Sequence, residues 1–187
     1  MCSGLSAVPT LRDWVLAERC RLVAVLGMGG IGKTLLAARL AQDVAPTFQR
    51  LYWRTMRDAP PISEWLTGAI GFLSDRQAVP SEGEAARLTL LLQVLRDRPC
   101  LLVLDNFETL LEAGQQEGRY RHGYAGYGRL LQAIGEGRHQ GCLVITSREG
   151  PPELAILGGG PVRAFQLGGL GVAEGQVLLG GKAPVGQ

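Results

Sequence analysis

Arg-Leu-Val-Ala-Val-Leu-Gly-Met-Gly-Gly-Ile-Gly-Lys-Thr, residues 21–34, is the stretch on which the fold turns. Its apolar run, 22–26, has the length and content of a buried strand. Gly27, Gly32, Lys33 and Thr34 follow at the G-x-x-x-x-G-K-S/T spacing of a phosphate-binding (Walker A) loop. Leu36, Leu40 and Val44 then recur at helical spacing, so strand, glycine loop and helix come in the order the motif requires. Several backbone N–H groups can converge on a phosphate only where no side chain intervenes, which suits Gly27, Gly29, Gly30 and Gly32. The new helix points its unpaired N–H groups and positive dipole end at the same place. Met28, Ile31 and Leu35 complete the loop and helix start, making residues 27–35 the candidate nucleotide-binding segment. Lys33 can reach the β- and γ-phosphates, and the Thr34 hydroxyl can ligate Mg²⁺. The chain has only two lysines, Lys33 and Lys182, and one stands where the motif needs it. These residues predict binding of a nucleoside triphosphate.

The bulk properties agree with a globular domain. The 187 residues suit one domain, 46 % are hydrophobic and 19 % charged, and the net charge of +2 makes no electrostatic case for nucleic acid or membrane. No apolar run approaches the ~18 residues of a membrane span. The N-terminus lacks a basic region followed by an apolar stretch, so a secretory signal is not expected. Cys2, Cys20, Cys100 and Cys142 form no C-x-x-C pair, and two of them open apolar runs as buried thiols. A reducing cytoplasm is the expected location. His122 and His139 have no partner at ligand spacing, so a metal site made by protein side chains alone is not expected.

In chain order, residues 10–19 read as a helix, with Leu11, Trp14 and Val15 on one side and Thr10 as cap. Residues 51–55 have the aromatic enrichment of a strand, and 62–73 place Ile62, Leu66, Ile70 and Leu73 on one helical face. The next helix is expected to begin at Pro80 and Ser81, with Ser81 and Glu84 at capping-box spacing and Leu88, Leu91, Leu92 and Leu95 inward. Residues 100–105, Cys-Leu-Leu-Val-Leu-Asp, have the pattern of a Walker B strand. A carboxylate at the C-terminal edge of a parallel sheet can hold Mg²⁺ opposite Thr34, which assigns Asp105 to the metal. Glu108 fits either a group that polarises the attacking water or a solvated carboxylate at a helix start.

Residues 112–127 are polar and glycine-rich and read as a long loop. Its Tyr120, Tyr124 and Tyr127 interleave with Arg119, Arg121 and His122, a composition able to stack on bases. The basic cluster is small, however, so tyrosines half-packed on the domain are favoured over a nucleic-acid partner. A helix follows over 128–136 and an apolar strand over 142–146, ending Thr-Ser-Arg. In ATPases with this loop, a basic residue at the end of the strand beside the phosphate-loop strand can sense the γ-phosphate. Arg148 fits by position; the alternative is a surface arginine. A short helix over 152–157 and a last strand over 162–167 precede a glycine-rich end.

Taken together, Gly-Met-Gly-Gly-Ile-Gly-Lys-Thr, Tyr-Trp-Arg, Leu-Leu-Val-Leu-Asp-Asn-Phe-Glu and Leu-Val-Ile-Thr-Ser-Arg resemble the NB-ARC domain of the STAND class of signalling ATPases. The resemblance covers residues from about 10 to 180, and residues 118–131 look most like bacterial members with WD or tetratricopeptide repeats downstream. It implies a three-layer α/β domain of about five parallel strands, helices on both faces, in the order 2-3-4-1-5. It also implies an ATP/ADP-dependent signalling switch with slow Mg²⁺-dependent hydrolysis, in which Lys33, Asp105, Glu108 and Arg148 carry the chemistry. The domain is expected over 21–170, with a helical lead-in over 1–20 and a truncated segment over 171–187. Three departures stand out. Residues 1–10 lack the family's hydrophobic-Gly-Arg segment, Asn106 replaces a second acid, and the helical and winged-helix subdomains are not in this sequence. The expected partners are therefore a nucleotide and missing downstream domains, including a repeat sensor. The competing readings are a kinase or transferase acting on a small substrate, with the 112–127 loop as lid, and a nucleic-acid-dependent ATPase.

Overall fold

The computed structural model describes residues 4–80, 82–114 and 118–168. Within them, five strands form one parallel sheet: β1 (Leu22–Leu26), β2 (Arg50–Thr55), β3 (Cys100–Asp105), β4 (Cys142–Ser147) and β5 (Val162–Gln166). The strand order is β2-β3-β4-β1-β5, as the resemblance implies. Parallel neighbours need crossovers, and these are the helices α2 (Lys33–Val44), α3 (Ile62–Leu73), α4 (Glu84–Asp97), α5 (Ala125–Glu136) and α6 (Glu153–Leu157). A further helix, α1 (Gly4–Leu16), precedes β1.

Side-chain alternation along each strand divides the core between the two faces. Leu22 and Ala24, Leu102 and Leu104, and Leu143 and Ile145 pack with α3, α4 and α5. Val23 and Val25, Leu101 and Val103, Val144 and Phe165 pack with α1 and α2. β3 and β4 are buried along their whole lengths, which is why they read as unbroken apolar runs, whereas the edge strand β2 is half-buried at most positions. Cys20, Cys100 and Cys142 are buried free thiols, and burial pushes the Cys100 thiol up to about 11.

Three helices begin more than a residue away from their expected starts. α1 begins at Gly4, a full turn and more before residue 10, and carries Pro9 in its interior. Proline removes one helical hydrogen bond, but Ala7, Leu11 and Val15 form a buried stripe at four-residue spacing that holds the extra turn. Thr10 is therefore an interior residue and not a cap. α4 begins at Glu84 with Gly83 as N-cap and no side-chain cap. Ser81 lies outside the described residues, and the Glu84 carboxylate takes a forked pair from Arg129 at 2.6 and 2.9 Å. α5 begins at Ala125, inside the segment read as loop, because Gly126 serves close packing and not a turn. A Cβ at Gly126 would stand 2.6 Å from Ile62. The expected segment 171–187 lies outside the described residues.

Candidate nucleotide-binding site

The C-terminal ends of β1, β3 and β4 deliver Gly27, Asp105 and Ser147 to one edge of the sheet. The loop after β1 turns through left-handed residues at Gly30 (φ 75°) and Gly32 (φ 97°), which side-chain-bearing residues rarely adopt. At Gly27 the constraint is space: a Cβ there would approach the Leu167 carbonyl to 2.9 Å. Ile31 packs its side chain on the core beneath the loop, and Met28 is exposed. The first helical hydrogen bond of α2 runs from Leu36 N–H to Gly32 O. The N–H groups of Lys33, Thr34 and Leu35 are thus left without helical acceptors, at the positive end of the helix.

Lys33 is 7 % exposed, and its ammonium donates to the carbonyls of Gly27 at 2.7 Å and Met28 at 2.9 Å. Burial lowers its pKa; Glu108 opposes that shift, Arg148 adds to it and Asp105 opposes it. Across 71 residues of sequence, the Thr34 hydroxyl donates to Asp105 Oδ1 at 2.8 Å. Thr146, fully buried on β4, donates to the same oxygen at 2.6 Å and accepts the Asn106 N–H at 3.0 Å. Asp105 is therefore clamped from the loop side and from β4. A hydroxyl and a carboxylate facing each other at this spacing are hard oxygen donors of the kind Mg²⁺ takes alongside its waters.

Arg148 follows β4 and lies over the loop; a Cβ on Gly29 would meet its guanidinium at 3.1 Å. It pairs through Nε with Glu108 Oε1 at 3.3 Å. The Glu108 side chain is only 16 % exposed, and its Oε2 is buried without a hydrogen-bond partner among the described residues. The solvated carboxylate considered for Glu108 is thus not what this fold provides. Loop, Thr34, Leu35, Asn106, Glu108 and Arg148 border one open cleft of about 530 Å³, within the usual range for small-molecule sites.

Two residues of the site escape the sequence reading, one buried behind Asp105 and one on the cleft. Thr146 enters the sequence reading only within Thr-Ser-Arg, and its signal is a hydroxyl at the end of the strand next to the loop strand. Arg57, which borders the cleft, stands two residues after β2 and outside every motif. The tyrosines of the 112–127 segment are turned to the domain. Tyr120 donates to Glu153 at 2.7 Å, Tyr124 to Ala59 O at 2.8 Å and Tyr127 to Pro60 O at 2.9 Å. Among the described residues there is no cluster of three metal-binding side chains, and no helix is long and apolar enough to cross a membrane.

A WD repeat-containing protein from Nostoc sp., itself uncharacterized, is 45 % identical to this chain, across 91 % of the chain and 14 % of the relative. The chain thus spans about a seventh of that protein's length. Among solved structures, a STAND protein with a tetratricopeptide repeat sensor from Pyrococcus horikoshii matches with TM-score 0.61 and 19 % identity, over 90 % of this chain and 24 % of that one. The Orc1 protein of Aeropyrum pernix, solved with DNA, matches with TM-score 0.59 and 12 % identity, over 93 % and 47 %. At such identities the structures speak for the fold alone, a P-loop NTPase sheet. The model of the NB-ARC domain matches residues 7–111, more than half of the sequence, and the chain belongs to the NB-ARC family of P-loop NTPases.

Proposed function

We propose that this chain is an ATP/ADP-binding switch module of the cytoplasm, with slow Mg²⁺-dependent hydrolysis, acting with repeat-type sensor domains. The observation that carries the reading is the Thr34–Asp105 contact of 2.8 Å beside the buried Lys33, which joins the glycine loop to the end of β3. In this reading residues 27–35 hold the phosphates, Lys33 meets the β- and γ-phosphates, and Thr34 and Asp105 hold Mg²⁺, which would neutralise phosphate charge. Arg148 meets the γ-phosphate, and Glu108, once its partner is drawn away, orients water. Asn106 in place of a second acid supports slow turnover, because an amide cannot accept a proton as a base. A switch needs different affinities for ATP and ADP in two arrangements of the protein. The STAND neighbour's repeat sensor and the WD repeats of the Nostoc relative support downstream domains as the readers of that difference. The kinase reading loses support because both arginines of its lid candidate already have partners, Arg121 donating to Thr109 O at 2.9 Å and Arg119 pairing with Glu112 at 3.8 Å.

Calorimetric titration with Mg²⁺ and either ADP or a non-hydrolysable ATP analogue tests the assignment. Lys33→Ala should weaken both ligands, each lost charged hydrogen bond being worth about 1.5–3 kcal/mol. Arg148→Ala should weaken the triphosphate alone. Equal affinities for wild type and Lys33→Ala would remove the phosphate site from this loop.

A further inference from the structure

Beyond the residues that the loop motif points to, the structure assigns Arg57 as a second arginine for the terminal phosphate, facing the glycine loop from the opposite wall of the cleft. The inference rests on the nucleotide reading above and extends it to a residue outside every motif of the sequence.

Arg57 is fixed at both ends. Its neighbour Met56, fully buried, donates its N–H to Asp105 O at 2.7 Å and accepts the Thr109 hydroxyl at 2.5 Å. The arginine's own Nε donates to Asn106 Oδ1 at 3.1 Å. Asn106 is held in turn, its N–H on Thr146 and its backbone left-handed at φ 62°, a conformation asparagine tolerates. One chain of contacts therefore runs from the buried Thr146 through Asn106 to the guanidinium.

What Arg57 lacks is a counter-charge. The cleft carries three cations, Lys33, Arg57 and Arg148, and one bordering carboxylate, Glu108. Glu108 is matched with Arg148, and Asp105 is occupied by two hydroxyls. Among the described residues no carboxylate lies within ion-pair distance of Arg57, and its two terminal amino groups make no hydrogen bond. A tethered guanidinium with its outer donors open fits a phosphate, which accepts them as a fork. Sheet order selects which phosphate. β2 is three places from β1, so Arg57 borders the cleft from beyond Asp105 and can take γ-phosphate oxygens that Lys33 leaves open.

The test is titration of the full chain, with Mg²⁺, against a non-hydrolysable ATP analogue and against ADP. Arg57→Ala should weaken the triphosphate about 10- to 100-fold and change ADP less than about twofold. Arg57→Lys, with charge but no fork, should recover only part of the loss. Asn106→Gly keeps the left-handed backbone and removes the tether. It should weaken the triphosphate in the same selective way, and the double variant should be no weaker than Arg57→Ala alone. If wild type binds and Arg57→Ala binds equally well, or loses ADP and triphosphate alike, the assignment of Arg57 is overturned while the site stands. Wild type binding neither nucleotide would overturn the underlying reading, and Arg57 with it.

Discussion

Thr146→Val isolates one hydroxyl at the centre of the site. Valine keeps the volume and the β-branched shape that β4 buries, so packing is nearly unchanged. Two hydrogen bonds go. The bond to Asp105 Oδ1, at 2.6 Å, is charge-assisted and worth about 1.5–3 kcal/mol. The Asn106 N–H loses its acceptor at 3.0 Å, at a further cost of about 1 kcal/mol. Thr34 still donates to the same carboxylate oxygen and limits the damage. We expect a loss of about 2–4 kcal/mol, a large part of the roughly 5–15 kcal/mol that holds a domain together. Thr146→Ser keeps both bonds and sheds one buried methyl group, about 0.8 kcal/mol. Urea unfolding followed by two probes should place the midpoint of the valine variant well below that of the serine variant, at the same slope. Equal midpoints for the two variants would show that the hydroxyl holds nothing.

Two further outcomes follow from burial elsewhere in the fold. His139 donates from Nε2 to Ile134 O at 2.9 Å and accepts the Gly141 N–H on Nδ1 at 3.2 Å, which needs a neutral ring, and burial accordingly lowers its pKa below 6.5. The unfolded chain binds a proton near pH 6.5 that the folded one does not, so stability should rise with pH up to that value and level off above it; melts at pH 5.5 and 7.5 should differ, and His139→Gln should shrink the difference. Gly126→Ala sets helix propensity, which favours alanine by about 1 kcal/mol, against a Cβ placed 2.6 Å from Ile62; a raised melting temperature would contradict the packing described for α5.

What the sequence could show depended on how far apart the interacting residues lie. β1, β3 and β4 are legible because strands covered on both faces need nothing but apolar residues, and the glycine loop because its geometry is local. Gly126 misleads because glycine marks both a turn and a close approach, and only the position of Ile62 tells which. The helix before β1 is read from Thr10 and begins at Gly4, because only the fold shows the burial of Ala7 beside Leu11. Thr146 reads as an ordinary strand residue until β4 is known to lie between β1 and β3, which puts its hydroxyl beside a carboxylate 41 positions away. Arg57 is hidden for the same reason, since its tether is 49 positions away.

The same contacts bear on how a switch at this site would discriminate. Lys33 already has two carbonyl acceptors and Arg148 already has a carboxylate. A phosphate that takes either cation replaces an acceptor supplied by the protein, so the net gain is a difference between two good interactions and not the whole of one. For Lys33 that exchange is shared by ADP and ATP, because both bring a β-phosphate to the loop. For Arg148, in the role proposed for it, the exchange would occur only with a γ-phosphate, and it would leave Glu108, already carrying one unpartnered oxygen in a buried position, without its guanidinium. In the proposed switch, discrimination between the two nucleotides would therefore fall on the arginines. Releasing Glu108 costs binding energy at the point where the carboxylate becomes available to a water. Arg57 has no such competitor among the described residues, so it can favour the triphosphate without a matching loss.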